Sequence, residues 1–228
     1  MKISNVISAG IISGIFVLSV AAEDKVQIDG AEVGKWTMDF DAAVEKAAKE
    51  KLPLMLNFTG SDWCGWCKLM DRGVFAEKEW QQFAANNVLL VTLDFPNDKN
   101  IVPEKYVSRN NDLKKQFGVR GYPTYVVLDS DGKSKLGQLG AGRDKTPASF
   151  IDEFKGVIRM STASIEAFIK ANPDKADAYK AAIKEDKDAK EALANWTSTK
   201  PKRNEENNKK FTAFQARIEA AGEKLESF

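Results

Sequence analysis

Leu54-Met55-Leu56-Asn57-Phe58-Thr59-Gly60-Ser61-Asp62-Trp63-Cys64-Gly65-Trp66-Cys67-Lys68 is the stretch whose reading decides the fold. Its first six residues form an apolar run of the length of a buried strand. Gly60-Ser61-Asp62 breaks that run, and a helical pattern follows from the cysteine pair through Leu69 and Met70. Cys64 and Cys67 therefore sit at a strand-to-helix junction. There the unpaired N–H groups of the first turn and the helix dipole stabilise negative charge. A thiol so placed has a lowered pKa, and its thiolate is the form that attacks disulfides. The second thiol, one turn on, is near enough to displace whatever the first has captured.

The rest of the composition removes competing chemistries. The chain of 228 residues holds two cysteines and no histidine, so histidine-dependent triads are excluded. A structural zinc site needs about four ligands where two are available. Haem attachment needs a histidine after Cys67, where Lys68 stands. A disulfide framework needs several spaced pairs. A formal net charge of +1 gives no electrostatic reason to expect nucleic acid as partner. Lys2, the apolar run Val6 to Val20 and the small residues Val20-Ala21-Ala22 read as a signal peptide, 1-22, cleaved after Ala22. An uncleaved anchor is the other reading of that run, which is short for a span and is followed directly by Glu23 and Asp24. Export to the periplasm, or secretion, is the expectation, with no stable membrane insertion after cleavage.

Outward from the cysteine stretch, Phe40, Val44, Ala47 and Ala48 recur at the helical interval over Asp39 to Lys51. Downstream come a helical piece over Glu77 to Ala85, a buried strand over Val88 to Asp94, and a loop over residues 95 to 109. A short helix, Asp112 to Phe117, is stopped by Gly118. Tyr125 to Leu128 is a strand, and Asp129-Ser130-Asp131-Gly132 turns it into an antiparallel partner over Lys133 to Leu139. Pro147 to Ile158 is a closing amphipathic helix. This order predicts an α/β fold, a sheet with helices packed against it. Beyond Met160 the composition shifts to Ala, Lys, Glu and Asp. Helices are expected around Ile165 to Ile169, around Tyr179 to Ile183, around Ala189 to Trp196, and from Phe211 to Phe228. They read as helices laid on the body of the domain rather than as a coiled coil.

Two motifs carry a resemblance. Trp63-Cys64-Gly65-Trp66-Cys67-Lys68 resembles the active-site motif of the thioredoxin family. Gly118-Val119-Arg120-Gly121-Tyr122-Pro123-Thr124 resembles that family's cis-proline segment. Phe58 to Trp63 is similar to exported bacterial thioredoxin-like proteins. The match covers residues 36 to 158. It implies a thioredoxin-like fold, a central mixed sheet flanked by helices, over residues 23-160, with a helical extension over 161-228. It implies a thiol–disulfide oxidoreductase whose only redox group is the Cys64–Cys67 dithiol, with no cofactor and no metal. Cys64 would attack and Cys67 resolve. Pro123 would be cis beside them, and the backbone at Tyr122 would pair with the client chain as an added strand. Tyr122, Thr124, Trp63 and Trp66 would then line the client site. Read from residues alone, the two tryptophans are equally a docking surface or packing, and X-Pro is an ordinary turn.

The chain departs from the family's pattern. Trp66 stands where cytosolic thioredoxins carry Pro, and Asn57 where they carry a buried Asp that helps deprotonate the resolving thiol. Water or another carboxylate must then take that proton. Lys68 would favour a Cys64 thiolate and Asp62 oppose it, unless both are solvated helix-end charges. With no histidine between the cysteines, the thiolate is expected to be only moderately stabilised, which places the protein on the reducing side. Clients with thiols or disulfides are the expected partners, together with a membrane thiol-transfer donor of electrons. Two other readings compete: a thioredoxin scaffold that binds unfolded clients without turnover, and a carrier of soft metal such as Cu(I).

Overall fold

The computed structural model describes residues 26–228, so the expected signal peptide lies outside the described residues. The chain runs β1 (Trp36–Thr37), α1 (Phe40–Glu50), β2 (Leu54–Thr59), α2 (Gly65–Met70), a π turn (Asp71–Phe75) and α3 (Lys78–Asn87). It continues through β3 (Leu89–Asp94), α4 (Glu104–Gln116), β4 (Thr124–Leu128), β5 (Lys135–Gly140) and α5 (Pro147–Ile158). Strand order is β1-β3-β2-β4-β5. β2 lies parallel to β3 and antiparallel to β4, and β4 pairs antiparallel with β5, so the sheet is mixed as expected.

Both faces of the sheet are covered, which is why β2, β3 and β4 are buried along their whole length rather than alternately. On one face Leu54, Leu56, Phe58, Leu89, Val91, Leu93, Val126 and Leu128 meet Ala43 and Ala47 of α1 and Leu113 of α4. On the other, Met55, Leu90, Tyr125 and Val127 meet Met70, Val74, Phe75, Trp80, Phe150 and Phe154. The helix ends follow local chemistry. The Asp39 side chain accepts from Ala42 N and caps α1, and Thr146 and Ser149 form a reciprocal capping box on α5.

Three expectations are corrected. Residues 104 to 109 are helix rather than loop: α4 begins at Glu104 and buries Tyr106, Asn110 and Leu113 at the helical interval. The middle of that stripe is polar, which hides it from an apolar pattern. The two helices expected around Tyr179 and Trp196 are one, α7 (Ala176–Ser198). Nor are the last helices laid on the body of the domain. α6 (Thr162–Ala171), α7 and α8 (Glu205–Glu226) gather their own cluster of Met160, Ile165, Phe168, Ile169, Tyr179, Ala182, Ile183, Leu225 and Phe228. α7 and α8 form an antiparallel hairpin, with Tyr179 against Phe228 at one end and Trp196 against Phe214 at the other. The Asp129 carboxylate ties this unit to the sheet by accepting from Thr162 N at 2.9 Å and Thr162 Oγ1 at 2.7 Å.

We propose that residues 23–160 are the redox unit and 161–228 an appendage. A chain ending at Met160 is expected to unfold cooperatively and to reduce a small disulfide within about twofold of the native rate. Losing the two hydrogen bonds to Asp129 costs on the order of 1–2 kcal/mol. A non-cooperative melt of the truncated chain would show instead that the helices complete the core.

Candidate active site

Cys64 occupies the N-cap position of α2, with extended backbone and its sulfur accepting from Cys67 N at 3.1 Å. The first thiol thus takes the place of a capping oxygen, and a backbone N–H points at the atom that bears negative charge when reduced. Cys64 and Cys67 are joined as a disulfide, 5.2 Å apart at Cα. Both are buried, Cys64 5% and Cys67 1% exposed. The difference is slight, with the leading cysteine the more exposed of the two.

The loop before the cysteines is held by residues far along the chain. Trp63 Nε1 donates to Phe95 O at 2.9 Å, and the ring meets Tyr122 edge-on at 5.7 Å. Trp63 also lies on Gly60, where a Cβ would come within 2.4 Å of the indole. Glycine is therefore required there by close approach. Packing and exposure coexist at Trp63, which remains 46% exposed, and Trp66 is 47% exposed. Leu69, one turn beyond, extends the same exposed apolar surface.

Asp62 and Lys68 both hold the loop around the cysteines. The Asp62 carboxylate accepts from Asn97 N and Asp98 N at 2.9 Å each, which holds its pKa below the usual carboxylate range. It clamps the segment after β3. Lys68 Nζ donates to the Asp62 carbonyl at 2.7 Å. Together they tie the helix start to the loop that precedes it.

Pro123 is buried and its bond to Tyr122 is cis. Phe58 pairs with Thr124 across β2 and β4, so the cis-proline loop and the cysteine loop leave the same end of the sheet. Tyr122 packs against Phe95 with the rings tilted by 40° and their centroids 5.4 Å apart, and Lys114 Nζ lies over both rings. Thr124 is turned inward: its hydroxyl donates to Gly121 O at 2.9 Å and braces the loop rather than facing a client. The structure thus brings Cys64, Cys67, Trp63, Tyr122 and Pro123 to one end of the sheet. Phe95 and Lys114, which the sequence reading missed, complete that rim.

Asn57 is buried at 4% exposure beneath α2, and its Oδ1 has no protein hydrogen-bond partner. It pairs with Thr92 on one side and Tyr125 on the other, and cross-strand partners share a face. Asp71, unremarked in the sequence reading, follows Cys67 by four residues, a spacing that was legible there. Burial and the nearby Asp94 charge push its carboxyl up to about 6.

A dithiol in this setting can exchange with a disulfide brought against Cys64, and the comparisons agree with that chemistry. A family model described as thioredoxin-like matches residues 35–130. Disulfide bond reductase DsbH of Chlamydia pneumoniae is 34% identical over 121 residues, 52% of this chain and 69% of that protein. Thioredoxin-related protein DsbJ of the same organism is 23% identical over 58% of this chain but 38% of its own length. A solved DsbH oxidoreductase superposes with a TM-score of 0.51 at 29% identity, covering 61% of this chain and 96% of that one. The chain belongs to the thioredoxin-like family.

Proposed function

We propose that this thiol–disulfide oxidoreductase works in the reducing or isomerising direction on exported proteins, in the periplasm or outside the cell. The observation that carries the direction is what surrounds the Cys64 sulfur. One backbone N–H, from Cys67, is directed at it, and the Lys68 ammonium donates to the Asp62 carbonyl rather than to that sulfur. Thiolate stabilisation therefore rests mainly on the helix start. A strong oxidant needs a far more stable thiolate than that. The name of the similar reductase supports the direction, and the expected signal peptide supports export.

In the cycle, the Cys64 thiolate attacks a client disulfide while the client backbone lies against Tyr122 and cis-Pro123. Trp63, Trp66 and Leu69 offer apolar surface to the client. Cys67 then attacks Cys64, releasing the client thiol and leaving the Cys64–Cys67 disulfide. A membrane thiol-transfer protein would restore the dithiol in an oxidising compartment. Equilibration of the purified protein against glutathione or dithiothreitol buffers, read by Trp63 and Trp66 fluorescence, is the test. The expected potential lies toward the −270 mV end of the roughly −270 to −120 mV range of such proteins. A value near −120 mV would make the protein a disulfide donor and overturn the direction.

A further inference from the structure

The resolving thiol needs a proton acceptor, and Asn57 cannot be one, since a neutral amide does not take the proton of a thiol. The surroundings of Cys67 offer a replacement. Met55, Asn57 and Thr59 alternate onto the sheet face that α2 covers, because Met55 packs with Met70 and Val74. The register adds Thr92 and Asp94 of β3 and Tyr125 of β4 to that face. Under the cysteine helix the sheet is therefore polar at this end, and the side-chain oxygens of Asn57, Thr59 and Tyr125 are buried without protein partners.

Two carboxylates border this strip, and they are in different situations. Asp94 is fixed, accepting from Ser61 N at 2.9 Å and Ser61 Oγ at 2.5 Å. Asp71 has no such commitment among the hydrogen bonds of the described residues. It follows Cys67 by one helical turn, on a continuous backbone in which Asp71 N donates to Cys67 O. Side chains four apart on a helix are neighbours. The helix also widens into a π turn at Asp71, the kind of local distortion that recurs at functional sites.

We propose that Asp71 is the proton acceptor for Cys67, taking the part that Asn57 cannot play. The proposal rests on the reductive cycle above. In the resolving step the Cys67 proton passes to the Asp71 carboxylate, directly or through one water. The Cys67 sulfur forms its bond to Cys64 as the bond between Cys64 and the client sulfur breaks. The Cys67 thiol is oxidised, the client sulfur is reduced and leaves as thiolate, and Asp71 returns the proton to it. Asp94 and Tyr125 face Asp71 from the sheet, and Lys68 and Arg72 flank it on its own helix. With its carboxyl pushed up to about 6, Asp71 is mostly ionised at neutral pH yet basic enough to accept a proton.

Stopped-flow reaction of the reduced protein with a peptide disulfide separates attack from resolution. The Cys67→Ser background reports attack alone. Between pH 5 and 8 the native resolving rate should rise through about pH 6 as Asp71 ionises. Asp71→Asn should slow resolution roughly 100-fold at pH 7 and lose that inflection. Asp71→Glu should restore most of the rate, and the double variant Asn57→Asp with Asp71→Asn should recover at least about tenfold, by returning a carboxylate to β2. A native resolving rate and pH profile in Asp71→Asn would overturn the proposal while leaving the reductase reading intact. An equal loss of attack and resolution would also overturn it, as the mark of a merely structural effect. Failure of the native protein to reduce the peptide would remove the reductase reading, and this proposal with it.

Discussion

Replacing Cys64 by Ser is expected to abolish disulfide reduction, by more than about 10⁴-fold, whereas Cys67→Ser should keep the first chemical step and stall after it. The expectation follows from where each sulfur sits. Cys64 is the helix cap, with Cys67 N 3.1 Å from its sulfur, so it carries the stabilised thiolate. Cys67 lies inside the first turn, at 1% exposure, and meets a client only through Cys64. A serine at 64 is a far weaker nucleophile and leaves no other route. A serine at 67 leaves attack intact and removes only the release, so mixed disulfides with clients accumulate. Non-reducing gels after incubation with periplasmic extract, with thiols trapped by acid, distinguish the two. Client adducts on Cys64→Ser and none on Cys67→Ser would reverse the assignment.

How much of this was legible in the sequence varies with the range of the interaction that decides each feature. β2, the cysteine pair and α5 were readable because apolar runs, turn residues and caps act over a few positions. The expected strand Leu54 to Thr59 and helix Pro147 to Ile158 coincide with β2 and α5. β1 escaped because two residues carry no periodicity; Trp36 and Thr37 are strand through pairing with Leu90 and Val91. The start of α4 was missed because its buried stripe, Tyr106, Asn110 and Leu113, is polar in the middle, while the loop before it, read as such, is anchored from a distance by the Asp62 carboxylate, 35 and 36 residues away. Asp62 itself invited an electrostatic reading, since its cysteine neighbour is close in sequence and its true partners are not. Alternation alone places Asn57 and Thr59 on one face of a strand. That Thr92, Asp94 and Tyr125 share the face depends on register, which pairing fixes and local sequence does not.

The other large effect concerns how the active-site helix is held down. α2 has six residues, too few to be stable alone, and it passes directly into the π turn. Its anchor is Phe75 at the end of that turn. The ring meets Trp36, Trp80, Tyr125 and Phe150 at centroid distances of 5.2 to 5.4 Å, mostly edge-on, and is 6% exposed. Such contacts add to the area term, and the four rings come from β1, α3, β4 and α5. No one of them can move to fill a void without disturbing the others, so relaxation is poor. Phe75→Ala should therefore destabilise by about 3–5 kcal/mol. For a chain of this size that lowers the melting midpoint on the order of 10 °C. Phe75→Leu should lose less than half as much, because it keeps most of the volume. The π turn adds a second consequence. With its anchor gone, the segment from Cys67 to Phe75 should open locally before the sheet does, seen as faster amide hydrogen exchange there than in β2 and β3. Thermal melts of the reduced proteins and exchange rates over α2 check both. A loss under about 1 kcal/mol would mean that the cavity collapses and that Met70 and Val74, not Phe75, hold the cysteine helix on the sheet.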